Sequence, residues 1–293
     1  MTLAGEFGVD DVDRLCMALV PLTSLSVKEP VRIDLSGLTN MCASCLAVLI
    51  SALRTARSRG LCDPLAMFTP SADSASHRWL ASDTLRELLE HPADGTAPIN
   101  NGRCGCQPFS SVDGIIHARE ALLTAIAEQK TLDERSRATV KQLLWDLGQN
   151  VLVHADIGGG VAAARVNVHE RTLELAVADC GIGIRESFVR AELPDIRDDV
   201  SAVRAALSPG VTSAPGDGKG MGLYLAKLVL ADNEGRLMLR SGNAQVDEPS
   251  GVWAPDLLAN FKGTLVTVLA RLDRPFDEER VGEMLERPEG VTS

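Results

Sequence analysis

Aromatic residues and basic charge are both scarce in this chain of 293 residues. Aromatic side chains make up 3% of the sequence, and 29 Lys and Arg residues stand against 40 Asp and Glu residues, a formal net charge of −11. Such a surface repels polyanions on average and offers few rings on which bases could stack. A role in binding nucleic acid would need a local basic patch, and we find none in the sequence.

Long apolar runs are also lacking. The longest nearly uniform apolar stretch, 46–53, is far shorter than the ~20 residues that cross a bilayer. The acidic N-terminal segment lacks the basic and apolar regions of a secretory signal. We therefore expect a cytoplasmic protein without membrane association, whose seven scattered cysteines are mostly free thiols because that compartment is reducing.

The apolar pattern divides the chain into two parts. Over 1–95, helices and short strands alternate, which predicts a small α/β domain with a parallel sheet. The predicted elements are helix 12–20, strand 31–35, a turn at 36–40, helix 42–57, strand 65–68 and helix 74–90. Residues 96–110 are rich in Gly, Pro and Asn without periodicity, and they are predicted to be a linker.

Residues 111–275 are predicted to form the larger domain, followed by a C-terminal tail at 276–293. The helices are predicted at 112–129, 133–154, 198–207 and 221–231, and the strands at 163–168, 173–178, 236–241 and 264–270. The rest of 185–217 is predicted to be irregular. Helices gathered against a mostly antiparallel sheet make a two-layer α/β sandwich of the α+β class.

Three polar residues recur at helical spacing in the helix 133–154. Asp146, Asn150 and His154 follow each other at intervals of four and therefore lie along one stripe. A carboxylate and a carboxamide one turn apart can hold a water and an Mg²⁺-phosphate group, since Mg²⁺ prefers oxygen ligands and keeps several waters. A solvated helix face would give the same spacing.

A second segment places an acidic residue and two glycines at the end of a strand. Asp179 is followed by Gly181 and Gly183. A carboxylate in that position can accept a hydrogen bond from an amino group such as that of adenine, and glycines let the backbone approach a ligand closely. A plain strand-to-loop turn often has the same composition.

A third segment places alternate glycines directly before a helix. Gly218, Gly220 and Gly222 lie at the start of the helix predicted at about 221–231, where free N–H groups and the helix dipole favour a phosphate. The spacing fits neither the P-loop nor the dinucleotide pattern. A flexible glycine linker remains the alternative.

Together, the three segments resemble the N, G1 and G2 boxes of the GHKL ATPase superfamily in order and spacing. The resemblance covers about 112–272 and implies a Bergerat ATP-binding fold that takes ATP with Mg²⁺, with a mobile lid at 185–217. By this resemblance, Asn150 would bridge the Mg²⁺ ion and Asp146 would orient the attacking water or hydroxyl. Asp179 would read adenine, and Thr264 would share a water with it. The further implied contacts are glycines and one lysine around the nucleotide: Gly181, Gly183, Gly218, Lys219, Gly220 and Gly222.

The sequence departs from the family's pattern at position 146, where the family usually has Glu. Asp146 is one methylene shorter, a loss of roughly 1.5 Å in reach, and a misplacement of ~1 Å can cost two orders of magnitude in rate. Nucleotide binding is therefore better supported than fast turnover. No clear phosphoacceptor box accompanies the N box, and His117 on the preceding amphipathic helix is predicted to be structural.

The N-terminal part resembles the STAS, or anti-anti-sigma, fold. The resemblance rests on the strand and turn at 31–39, the helix at 43–49 and the segment 57–60. By this resemblance, Ser44 falls where the family has a phosphorylatable serine. Its flanking residues depart from that motif, so a docking domain is the favoured interpretation.

Two cysteine pairs leave a metal or redox hypothesis open. Cys42 and Cys45 follow a strand, and Cys104 and Cys106 in the predicted linker could supply two more thiolates. Against this, the first pair falls on the apolar stripe of its helix, where cysteine serves as a small hydrophobic residue.

Two functional hypotheses follow. The first is an ATP-binding regulator of the GHKL superfamily, either an anti-sigma-type serine kinase or a partner-switching regulator, whose partner would be a STAS-domain or sigma-factor-like protein. The second is an ATP-gated conformational switch or clamp with slow ATPase activity and no kinase activity. A homodimer is compatible with both.

Overall fold

The structure is a computed structural model that describes residues 1–23, 33–60, 67–68, 87–89, 94, 99–100, 104–127, 132–216, 219–253 and 259–276. Its strands are β1 (Thr2–Phe7), β2 (Ile33–Met41), β3 (Met67–Phe68), β4 (Ile99–Asn100), β5 (Cys104–Phe109), β6 (Gly160–Asn167), β7 (Thr172–Asp179), β8 (Arg236–Gly242), β9 (Ala244–Glu248), β10 (Gly251–Trp253) and β11 (Phe261–Arg271). Its helices are α1 (Val12–Thr23), α2 (Ala43–Ser58), α3 (Val112–Ala127), α4 (Glu134–His154), α5 (Gly183–Arg190), α6 (Asp199–Ala206) and α7 (Gly222–Asp232).

The N-terminal part contains a small sheet of parallel strands in the order β1-β2-β3, as its alternating pattern predicts. The predicted turn at 36–40 is wrong, because β2 continues through it to Met41. Parallel pairing of this segment with β1 keeps it extended. Most of the predicted helix 74–90 lies outside the described residues.

The second part contains an eight-stranded antiparallel sheet in the order β10-β9-β8-β11-β7-β6-β5-β4. Two of its strands, β4 and β5, lie in the segment 96–110, so the expectation of a linker without structure is wrong there. Pro108 within β5 pairs with Val161. Within sheets, proline is mostly confined to edge strands, to the first residue of a strand and to bulges. A proline in this segment therefore argues against a strand when only the sequence is considered.

Both faces of the large sheet are covered. Helices α3, α4, α6 and α7 pack on the front face, whose residues include Ala162, Ala164, Leu175, Val177, Val266 and Val268. Helix α2 packs on the back face, whose residues include Val161, Ala163, Ala176, Ala178 and Leu265. The small alanine side chains let α2 approach the strands closely.

Polar contacts also join the N-terminal part to this back face. The guanidinium of Arg240, which is 1% exposed, pairs with Asp13 on α1. Arg165 on β6 donates a hydrogen bond to the carbonyl of Met41 over 3.1 Å. The two sheets are therefore joined through a continuous apolar layer that polar bridges cross.

Candidate functional site

A cavity of about 330 Å³ opens beside α4 on the front face of the large sheet. Helices α4, α5 and α7, strands β7 and β11, and the segments 211–213 and 219–221 contribute to its wall. It brings together eight of the ten residues to which the family resemblance gives a role, which are Asp146, Asn150, Asp179, Gly183, Lys219, Gly220, Gly222 and Thr264. Gly181 lies just outside the wall, and Gly218 lies outside the described residues.

The helix α4 places two polar groups at one end of the cavity. It begins after Asp133, whose side chain accepts a hydrogen bond from the N–H of Ser136, and it buries its leucines against the sheet. Asp146 accepts a hydrogen bond from Gln142 over 2.9 Å, and burial raises the pKa of Asp146. The Nδ2 atom of Asn150 is buried and has no hydrogen-bond partner among the described residues. A polar group left in this state needs a partner from a ligand or water.

Asp179 places a buried carboxylate at the other end. It is the last residue of β7, is 2% exposed, and accepts a hydrogen bond from the N–H of Gly181 over 2.8 Å. Thr264 faces it across the β7–β11 ladder and also donates to it. Burial nevertheless raises the pKa of Asp179 to about 7. The donors on Gly181 and Thr264 thus do not offset the loss of water around this carboxylate, which contributes to the cavity wall and can accept a further hydrogen bond from a ligand.

Two of the glycines are explained by close packing. A Cβ on Gly181 would lie 2.1 Å from the carbonyl oxygen of Ala155, so this glycine lets the loop after β7 pass the end of α4. Gly220 has a φ of +64°, and a Cβ there would lie 2.7 Å from the carbonyl oxygen of Val211. Close packing against α4 therefore explains why position 181 is a glycine, in addition to the ligand contact that the family resemblance implies.

Three further cavity residues form a hydrogen-bonded chain. The Oγ atoms of Ser187 and Ser213 lie 2.7 Å apart, and Ser213 Oγ lies 2.8 Å from Nδ1 of His154. Sequence reasoning gave no role to either serine, because the segment that contains them was predicted to be largely irregular. The short helix α5 within it had a signal, an ion pair between Glu186 and Arg190 at a spacing of four.

Ser44 is enclosed between the two parts of the chain. It is fully buried, and its hydroxyl donates to the carboxylate of Glu174 on β7 while accepting a hydrogen bond from Thr267 on β11. A kinase could not reach this hydroxyl in the folded arrangement. The structure thus favours the docking interpretation over a phosphorylation site at this position.

The cysteines whose side chains the structure describes are buried free thiols: Cys16, Cys42, Cys45, Cys106 and Cys180. No group of three His, Cys, Asp or Glu side chains is arranged for a metal among the described residues. Cys42 caps α2 by accepting from the N–H of Cys45, and burial raises the pKa of Cys16 and of Cys106 to about 12. Buried thiols of this kind are inert, so Cys16 and Cys106 act as small hydrophobic residues.

Two further expectations concern the structural role of His117 and the lack of membrane association. His117 lies on the solvent-exposed side of α3 and does not contribute to the cavity wall. Within the part of the chain that the structure describes, every helix is too short or too polar to cross a lipid bilayer.

Comparison with known proteins identifies the N-terminal part. Residues 1–62, from β1 to the end of α2, match the family model described as Mlab, STAS domain. This part is a STAS-like domain. Such a domain points to a regulatory role by partner switching, and the match ends before the cavity-bearing sheet begins. No curated protein matches the chain.

Proposed function

We propose that the cavity binds ATP with Mg²⁺ and that the chain is an ATP-binding, partner-switching regulator of the GHKL type with a Bergerat ATP-binding fold. The observation that carries this proposal is the polar arrangement of one cavity. A buried carboxylate, Asp179, lies at one end, and Asn150, whose buried amide nitrogen has no partner among the described residues, lies at the other. An adenine amino group would satisfy the first, and a hydrated metal-phosphate group the second.

The chemistry of the donor set fits an Mg²⁺-phosphate group. Asp146 and Asn150 offer side-chain oxygens one helical turn apart, and Mg²⁺ takes few protein ligands while phosphate and water supply the rest. The N-terminus of α7 at Gly222 and the exposed ammonium of Lys219 bring positive charge to the same end. Bound Mg²⁺ would neutralise phosphate charge there, and the residues of this chain would orient the nucleotide.

The STAS-like domain suggests how nucleotide binding could be used. It covers the back face of the sheet whose front face carries the cavity, so binding and docking involve opposite sides of the same strands. Ligand binding that rearranges the predicted lid, 185–217, would alter the front surface that a STAS-domain or sigma-factor-like partner meets. Binding of such a partner protein, and formation of a homodimer, are part of this proposal.

Serine kinase activity is the second candidate, and one observation favours it. Asp146 is the cavity carboxylate nearest the phosphate end, and its raised pKa suits a group that accepts a proton from a hydroxyl. In that case Asp146 would orient a partner's serine hydroxyl and take its proton.

Titration calorimetry with ATP and ADP, each with and without Mg²⁺, tests the proposal. Fluorescence of Trp145 provides a second signal, since this residue adjoins Asp146 in α4. We expect saturable binding that strengthens with Mg²⁺ and weakens in Asp179→Asn. No heat and no fluorescence change with either nucleotide would refute nucleotide binding. Labelled ATP with STAS-domain proteins then separates a kinase from a switch.

A further inference from the structure

The wall of the cavity carries the hydrogen-bonded chain Ser187–Ser213–His154. Each residue comes from a different segment: Ser187 from α5, Ser213 from the loop after α6, and His154 from the last turn of α4. All three contribute to the cavity wall, and Ser187 is 8% exposed. Polar groups concentrated in a largely apolar cavity usually set the orientation and identity of its ligand.

The position of this chain between the two ends follows from its neighbours. Ala155, next to His154, accepts a hydrogen bond from the N–H of Ile182, which places His154 beside the loop that leaves Asp179. In the other direction, Asn150 precedes His154 by one helical turn. A Cβ on Gly222 would lie 3.3 Å from Cβ of Asp146, so the glycine segment closes over that far end.

We infer that this chain recognises the sugar hydroxyls of a ribonucleotide and makes the cavity selective against deoxynucleotides; the inference rests on the proposed nucleotide binding. A nucleotide has its base, sugar and phosphates in that order. With the base at Asp179 and the phosphates at Asn150, the sugar meets Ser187, Ser213 and His154. These three residues thus determine which sugar is accepted.

The hydrogen-bonding capacity of the three groups suits a hydroxyl ligand. A serine hydroxyl both donates and accepts, and an imidazole has one nitrogen for each role, so the chain can redirect a bond toward a ligand. A ribose hydroxyl also donates and accepts hydrogen bonds, and it can join this hydrogen-bonded chain without leaving a polar atom unpaired. A deoxyribose offers only C–H there, and a site built around a hydroxyl discriminates against the analogue that lacks it.

The test compares dissociation constants of ATP, 2′-deoxy-ATP and 3′-deoxy-ATP with Mg²⁺, using the full chain and titration calorimetry. We expect wild type to bind ATP about 5- to 20-fold more tightly than at least one deoxy analogue, the effect of one hydrogen bond. In Ser213→Ala and Ser187→Ala this ratio should fall to within about 3-fold. Ser208→Ala, outside the cavity wall, is the matched control and should keep the wild-type ratio.

The outcomes separate this inference from the proposal beneath it. Equal binding of all three nucleotides by wild type overturns sugar recognition but leaves nucleotide binding intact. A ratio that persists in both serine variants overturns the assignment to this chain, because a purely structural role would weaken all nucleotides alike. Failure of all three nucleotides to bind overturns the proposed function itself. The wild-type ratio requires no variant to fold.

Discussion

The hydroxyl of Ser44 on α2 donates a hydrogen bond to the carboxylate of Glu174 on β7, with the two oxygens 2.5 Å apart. The same carboxylate accepts from the backbone N–H groups of Ala43 and Ser44 over 3.0 and 2.8 Å. A side chain of the large sheet therefore satisfies the first turn of a helix in the STAS-like domain, where the helix dipole favours negative charge. This buried polar contact joins the two parts of the chain within a largely apolar interface, beside the bridges made by Arg240 and Arg165.

Removing this carboxylate should destabilise the protein strongly. Glu174→Ala leaves two N–H groups and a hydroxyl buried without an acceptor, and we expect a loss of about 2–4 kcal/mol in the free energy of unfolding. Glu174→Gln keeps one acceptor oxygen and should cost about half as much. Denaturant titration measures both. Glu170→Ala, at an exposed turn on the same hairpin, is the control, and equal losses in the two alanine variants would contradict a special role for this contact.

The sequence predicts strands at the positions of β6 and β7, but it does not predict that α2 covers their second face. A strand with one solvent-exposed face alternates between apolar and polar residues. In contrast, β6 and β7 are nearly continuous apolar runs because α2 covers their second face. Glu174 was the available signal, a charged residue in the middle of such a run. Its partner Ser44 lies 130 residues away in the chain, so local patterns could not connect the two.

The cavity was more accessible to prediction because its residues sit at fixed local positions. Spacing by four fixed Asp146 and Asn150 on one stripe of α4, and the end of an apolar run fixed Asp179. The serines of the hydrogen-bonded chain lacked any such spacing. Their contact with His154 depends on how α5 and the loop after α6 fold over the sheet, which is a tertiary property.

Asp179→Asn should separate stability from nucleotide binding. The folded pKa of about 7 lies above the ordinary value near 4, so the folded state binds this proton more tightly than the unfolded chain. The stabilisation is fully present below pH 4 and is lost as the pH rises through 7. The variant cannot ionise, so we expect it to be about 1–3 kcal/mol more stable than wild type at pH 8, with a smaller difference at pH 5.

Denaturant unfolding at the two pH values measures this effect, and calorimetry on the same samples measures ATP affinity. We expect the affinity to fall by about 5- to 100-fold, since a charged acceptor is replaced by a neutral amide. A variant that is less stable at pH 8 than wild type would contradict the buried, ionisable state of Asp179. Unchanged ATP affinity would contradict its assignment to the base.

Asn150→Ala should remove the part of ATP affinity that depends on Mg²⁺. The side-chain oxygen would be a metal ligand, whereas base recognition at Asp179 would be untouched. We expect the ratio of ATP dissociation constants without and with Mg²⁺ to fall about 10-fold, while affinity in EDTA changes by less than about 3-fold. Calorimetry with and without the metal measures the ratio, and the metal-free titration is the internal control. An equal loss in both conditions would point to a packing role instead.

Asp146→Glu tests whether a short carboxylate limits turnover. The added methylene extends the reach by roughly 1.5 Å, and errors of ~1 Å in placement can cost two orders of magnitude in rate. If Asp146 orients the attacking group, Asp146→Glu should raise phosphate release by about 10-fold or more, and Asp146→Asn should lower it, because an amide cannot take the proton. ATP affinity measured in EDTA, where no metal links Asp146 to the phosphates, should change little in either variant. Rates that are equal in wild type, Asp146→Glu and Asp146→Asn would show that this carboxylate takes no part in the chemistry and would favour a nucleotide-gated switch over a kinase.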